Sequence, residues 1–91
     1  MDSLCEALLS LQSKDEAKRF LRDLMTEEEI VECAQRWQVA RFLAEEMSYQ
    51  QIQRKTGMSS TTIARISRWL KKGMGGYRLV LNRLSDRLRQ A

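Results

Sequence analysis

Apolar residues recur along this chain at intervals of three and four rather than two, the spacing of a helix face and not of a strand. Leu4, Leu8 and Leu11, with Ala7 beside them, form a first stripe, and Ala17, Phe20, Leu21 and Leu24 form a second. A longer stripe runs through Ile30, Cys33 or Ala34, Trp37, Ala40, Leu43, Ala44 and Met47. The breaks between stripes share a polar pattern. Ser3 precedes Glu6, Ser13 precedes Glu16, Thr26 precedes Glu29 and Ser48 precedes Gln51, each by three residues. In such a capping box the hydroxyl oxygen accepts the amide of the third residue, whose own side chain reaches back to the cap amide. Four boxes at successive breaks predict four helix starts, with helices over about 3–12, 14–25 and 27–46 and another opening at Ser48.

From Ser48 to Gly73 the pattern tightens. Ile52 gives a short helix one inward position, and Gly57 follows where the helix must stop on a positive φ, which glycine reaches without a Cβ clash. Ser59 or Ser60 can then cap a second helix that buries Ile63, Ile66 and Leu70. Lys71 and Lys72 fall in its last turn, where cations suit the dipole, and Gly73 ends it. Gly75 and Gly76 make the next turn. A final helix over about 77–88 turns Tyr77, Val80, Leu81, Leu84 and Leu88 inward and Arg78, Arg83, Arg87 and Arg89 outward. Two short helices joined by a glycine turn, over 48–72, are the pattern of a helix-turn-helix. With no proline in 91 residues and little β-branched alternation, the expected fold is all-α, six helices in a single domain over 1–91.

Charge changes the picture at one place. Residues 1–47 hold 6 basic and 11 acidic side chains, net −5, whereas residues 48–91 hold 10 basic side chains and the single acid Asp86, net +9. The step falls where the helix pair begins, and a basic half implies a polyanionic partner. Burial adds a second constraint. Six amphipathic helices in so short a chain carry more apolar face than one small core covers, and the first two are too short to stand alone. A homodimer covers these faces and duplicates the helix pair, with dimerisation helices over about 3–46 and 77–88.

On the second helix of the pair, burying Ile63, Ile66 and Leu70 turns Ser60, Thr61, Thr62, Arg65 and Arg68 outward. The N-terminal end of such a helix is where base edges in the major groove are met, and Arg65 can bond guanine O6 and N7 together. Gln50 and Gln53 on the outer side of the preceding helix can serve phosphates or reach into the groove, and Arg54, Lys55, Arg68, Lys71 and Lys72 supply sequence-independent attraction to phosphate. The expected partner is double-stranded DNA. Other chemistry finds little support. There is no histidine, no metal-ligand spacing, no phosphate loop and no nucleophile with a base, so neither catalysis nor a cofactor is expected. Glu27–Glu29 reads as a dipole-complementing first turn rather than a metal site. Cys5 and Cys33, without CxxC spacing, read as small buried hydrophobes, and Phe20, Trp37, Phe42, Tyr77 and the methionines read as core, much of it dimer core. Nothing resembles a signal peptide or a membrane span, so a cytoplasmic location is expected.

Four stretches, LLSLQS (8–13), CAQRWQVARFL (33–43), YQQIQRKTGMSSTTIARISRWL (49–70) and GGYRLVLNRL (75–84), resemble the Trp-repressor superfamily, and within it the shorter Trp-repressor-like YerC/YecD family. The resemblance implies a six-helix all-α fold, an intertwined homodimer and transcriptional regulation through DNA. It also implies positions for a bound tryptophan, which the repressor holds between two arginines beside a space-making glycine. Aligned on Gly57, one arginine matches Arg65. The other falls on Gln35, the glycine on Ile66 and a neighbouring serine on Trp69. Ile66 and Trp69 are expected to fill the ligand space, so tryptophan is not expected as a co-repressor. A DNA-binding regulator, a repressor by the resemblance, is the leading reading. A helical protein-interaction or structural dimer without a specific DNA site is the alternative, and an accessory domain of a recombination enzyme a third.

Overall fold

The computed structural model describes residues 1–90, with side chains as far as Leu88; Arg89, expected on an outer face, lies outside the described side chains. Among the described residues there are six helices and no strand: α1 (Asp2–Leu9), α2 (Lys14–Leu24), α3 (Glu27–Ala44), α4 (Tyr49–Thr56), α5 (Ser60–Lys72) and α6 (Gly76–Gln90). The chain divides into two compact units, Met1–Cys33 and Ala34–Ala91.

In the first unit the helix starts follow the boxes unevenly. Thr26 and Glu29 form a full box, the Thr26 amide donating to Glu29 Oε1 at 2.9 Å and the Glu29 amide to Thr26 Oγ1 at 3.1 Å. Ser13 accepts the Glu16 amide at 3.1 Å, but the Glu16 carboxylate reaches past it to the Gln12 amide at 2.9 Å. The Ser3–Glu6 pair caps nothing. α1 starts one residue earlier, with Met1 in the cap position and no side-chain cap bond, so Ser3 lies inside the first turn. α1 also ends at Leu9 rather than near 12, and Ser10 in the cap position donates its hydroxyl to the Ala7 carbonyl at 2.6 Å. Two exposed ion pairs, Arg19–Asp15 and Arg22–Glu27, both at 3.5 Å, add at most about 1 kcal/mol each.

No described residue of this unit is buried. Leu4, Leu8 and Leu24 are partly open to solvent, and Cys5 and Cys33 are exposed rather than buried as expected. Helices α1 and α2 with one end of α3 supply no second layer thick enough to enclose a side chain within a single chain.

The second unit holds the core. Val39, Ala40, Ile52, Ile63 and Ile66 are sealed from solvent, with Trp37, Phe42, Leu43, Met47, Met58 and Tyr77 packed around them. The stripe expected along α3 is therefore incomplete: Val39, outside it, is fully buried, while Ala34 and Ala44, inside it, are exposed. α3 ends two residues before the expected 46, in a Schellman arrangement: the Met47 amide bonds the Phe42 carbonyl and the Glu46 amide the Leu43 carbonyl, both at 3.0 Å. This puts Glu46 at φ 62, a position glycine usually takes, and delivers Met47 to the core. Along α6 the inward face is only partly covered. Tyr77 and Leu81 are half-buried, but Val80, Leu84 and Leu88 are exposed, Leu88 by 79%.

Ile63 is sealed among side chains of three helices, so Ile63→Ala removes buried volume that the surroundings cannot refill. A loss of about 2–5 kcal/mol is expected in denaturant unfolding of the full chain. The Thr26–Glu29 box makes a separate, pH-readable statement. The Thr26 amide first and its hydroxyl second hold the Glu29 carboxyl below its ordinary value of 4.5. A depressed folded pKa contributes stability that is present above the unfolded value and lost as pH falls through the folded one. Carboxyl NMR titration should place the Glu29 midpoint below 4.5, and Thr26→Val, which keeps the amide, should raise it only part of the way. A wild-type midpoint at or above that value contradicts the box.

Candidate nucleic-acid interface

The α4–α5 pair is built by its ends. At Ser48 both box bonds form: the Gln51 amide donates to Ser48 Oγ at 3.2 Å, and the Ser48 amide to Gln51 Oε1 at 3.4 Å. α4 stops at Gly57, φ 74, whose amide bonds the Gln53 carbonyl at 2.8 Å. Thr56 closes the turn from its side chain. Its Oγ1 donates to the Ile52 carbonyl at 2.7 Å and accepts the Met58 amide at 3.2 Å, steering Met58 towards the core. Of the two candidate caps for α5, Ser59 takes the role, accepting the Thr62 amide at 3.2 Å.

α5 then buries Ile63, Ile66, Ser67 and Leu70, a single stripe at helical spacing. The opposite side is left to solvent. Ser60, Thr61, Arg65 and Arg68 are all exposed there, followed by Lys71 and Lys72 in the last turn. Thr62 departs from expectation. It is half-buried, and its Oγ1 accepts from Ser59 Oγ at 3.0 Å, so it belongs to the cap as well as to the face. On α4, exposed Gln50 and Arg54 and half-buried Gln53 line one shallow depression. Lys55 sits 5.5 Å from the Phe42 ring centre, a cation–π distance that draws it towards α3.

One feature is not legible in the sequence: an apolar basin beside the end of α5, lined by Trp37, Trp69, Met74, Tyr77 and Val80, in which Trp37 and Tyr77 stack at 6.4 Å and 18°. No spacing in the chain announces that contact.

No Asp or Glu occurs from Ser48 to Ser85, so the outward side of α5 and the depression on α4 form a positively charged surface uninterrupted by acids of their own segment. Such a surface attracts phosphate at long range, while the N-terminal side chains of α5 are of the size and chemistry that meet base edges. Among the described residues no group of three or more His, Cys, Asp or Glu is placed to hold a metal ion. No helix there is long and apolar enough to cross a membrane.

An all-α chain with a capped helix pair of this geometry is a helix-turn-helix protein. The family model for the Trp repressor protein matches residues 1–85, and the chain belongs to that family, one of DNA-binding regulators. An uncharacterised protein of Bacillus subtilis, YerC, is 41% identical over 86 residues, covering 94% of this chain and 83% of that protein. The crystal structure of a TrpR-like protein from Eubacterium eligens superposes with a TM-score of 0.88 at 43% identity, over 92% of this chain and 87% of that one. A Staphylococcus aureus structure provisionally assigned as a Trp repressor gives 0.87 at 36% identity, over 92% and 84%. These matches agree with the YerC-like branch of the family and with a Trp-repressor-like fold.

Among the positions aligned with the tryptophan site, Ile66 is 1% exposed and wedged among Val39, Ala40, Ile52 and Ile63. Trp69 is 42% exposed and lines the open basin rather than filling an internal space. Arg65 is exposed and Gln35 half-buried.

Proposed function

We propose that this chain is a homodimeric, sequence-specific DNA-binding transcriptional regulator, a repressor as its family name describes, acting in the cytoplasm without tryptophan as co-repressor. The observation that carries the proposal is the outer side of α5: Ser60, Thr61, Arg65 and Arg68 exposed together on a helix whose other side is fully engaged in the core. α5 enters the major groove, with Arg65 reading guanine and Ser60, Thr61 and the free side of Thr62 meeting neighbouring bases. Gln50, Gln53, Arg54, Arg68, Lys71 and Lys72 hold phosphates and fix the register. Dimerisation is supported by what a single chain leaves uncovered. Leu4, Leu8 and Leu24 in one unit and Val80, Leu84 and Leu88 in the other are large apolar side chains open to solvent, more than a stable monomer of this size displays. A second copy covers them and supplies the second α5 for a two-part site. The tryptophan claim rests on Ile66, whose side chain occupies core volume where the family's ligand needs a glycine.

Selection on random duplexes should return a two-part site. On that site Arg65→Ala should cost about 1–3 kcal/mol and relax one base position, whereas Lys71→Ala should weaken all sequences alike and lower the salt slope by about one. No retardation of any duplex at low salt would favour a protein-interaction dimer instead. Sedimentation should give a dimer, and calorimetry with free tryptophan should give no binding heat. A monomer, or micromolar tryptophan affinity, would overturn the corresponding part.

A further inference from the structure

α5 and α6 are joined through Gly73, Met74, Gly75 and Gly76, three glycines in four residues, the stretch of the second unit that is entropically dearest to order. Gly75 has φ +86, and a Cβ on Gly73 would run into the Trp69 carbonyl. Met74 is fully exposed. The Gly73 amide takes the Trp69 carbonyl at 2.8 Å, which leaves the Leu70 carbonyl among the orphan acceptors at the end of α5. Arg78 satisfies it. Its Nε donates to that carbonyl at 3.1 Å from eight residues further on, across the whole joint. The residue before it, Tyr77, stacks on Trp37 of α3. Consecutive side chains in the first turn of α6 thus tie it to α5 and to α3, and the cation of one faces the negative end of the α5 dipole.

We propose that Arg78 is a positioning residue: by tying α6 to the C-terminal end of α5 across the glycine joint, it sets the half-site spacing that the dimer accepts. This rests on the proposed DNA-reading dimer, because α6 carries the exposed Val80, Leu84 and Leu88 that a second copy covers. In the proposed dimer, with α6 in the seam, the joint lies on the path from one α5 to the other. A stiff joint makes a mismatched spacing costly, and a loose one lets each α5 find its half-site separately. The guanidinium suits the task better than an ammonium, because its planar Nε–H has a fixed direction.

The test uses the full chain with Arg78→Met, which keeps the length and removes the donor, and Arg83→Met as a control for lost charge on α6. Without DNA, amides from Gly73 to Leu79 should exchange about tenfold faster in R78M and at the wild-type rate in R83M. Unchanged exchange in R78M overturns the tether. With DNA, the site selected by the wild type is offered at its preferred spacing and with one or two base pairs added or removed. The ratio of preferred to altered affinity should fall by about tenfold in R78M and stay constant in R83M, with sedimentation showing the same assembly. Weaker binding at every spacing with the ratio preserved means only lost charge or stability, and overturns the positioning role. Should R78M fail to fold, Arg78→Lys and a glycine inserted after Gly75 are read on the same panel, and a wild-type ratio in both overturns it equally. A wild type that binds no duplex removes the proposed function and the spacing role together, and the exchange arm then decides the tether separately.

Discussion

Five side chains from three helices, Val39, Ala40, Ile52, Ile63 and Ile66, make the contact on which the rest of the second unit depends. Their arrangement is asymmetric. α4 contributes one residue, α5 two and α3 two, so α4 is held almost entirely through Ile52. A short helix with a single anchor is not stable by propensity alone, and its ends must supply what its length does not. The α4 ends carry that support: a complete box at Ser48, a left-handed Gly57 and the double use of Thr56 Oγ1. The angle between α4 and α5, which any groove-reading role requires, is set by this turn and by the close packing of three isoleucines.

Ile66 completes the packing between α5 and its neighbours, and that occupied volume is what the proposal of a tryptophan-independent regulator rests on. The basin at Trp37, Trp69 and Tyr77 lies further along α5, beside the glycine joint. What holds that joint is polar and aromatic rather than aliphatic, a hydrogen bond from Arg78 and a ring stack from Tyr77. Contacts of this kind fix direction more than they add stability.

The uneven distribution of burial follows from length. The first 33 residues, two short helices and one end of a third, enclose no described side chain by themselves, and Cys5 and Cys33 are exposed. The exposed Leu4, Leu8 and Leu24, with Leu84 and Leu88 on α6, are the apolar surface on which the proposed dimer rests.

The sequence by itself determined the number and order of the helices, because period-3.6 stripes and hydroxyl–Glu/Gln boxes are local signals that the backbone obeys wherever the helix start agrees with them. It also determined the buried stripe of α5 and hence most of its outer side, since three apolar positions on a helix settle where the others point. Family membership was legible as well, from motifs in order and spacing. Tertiary structure alone decided the matters that depend on distant partners. Val39 became core and Ala34 and Ala44 did not, because α4 and α5 cover one side of α3 only. Ser59 took the cap that Ser60 could have held, and Thr62 was drawn into it, because the preceding turn delivers one hydroxyl and not the other. Ser3 lost its box to an earlier helix start. The Arg78 and Tyr77 tethers were invisible in the chain, since a bond from residue 78 to the carbonyl of residue 70 depends on how three glycines turn.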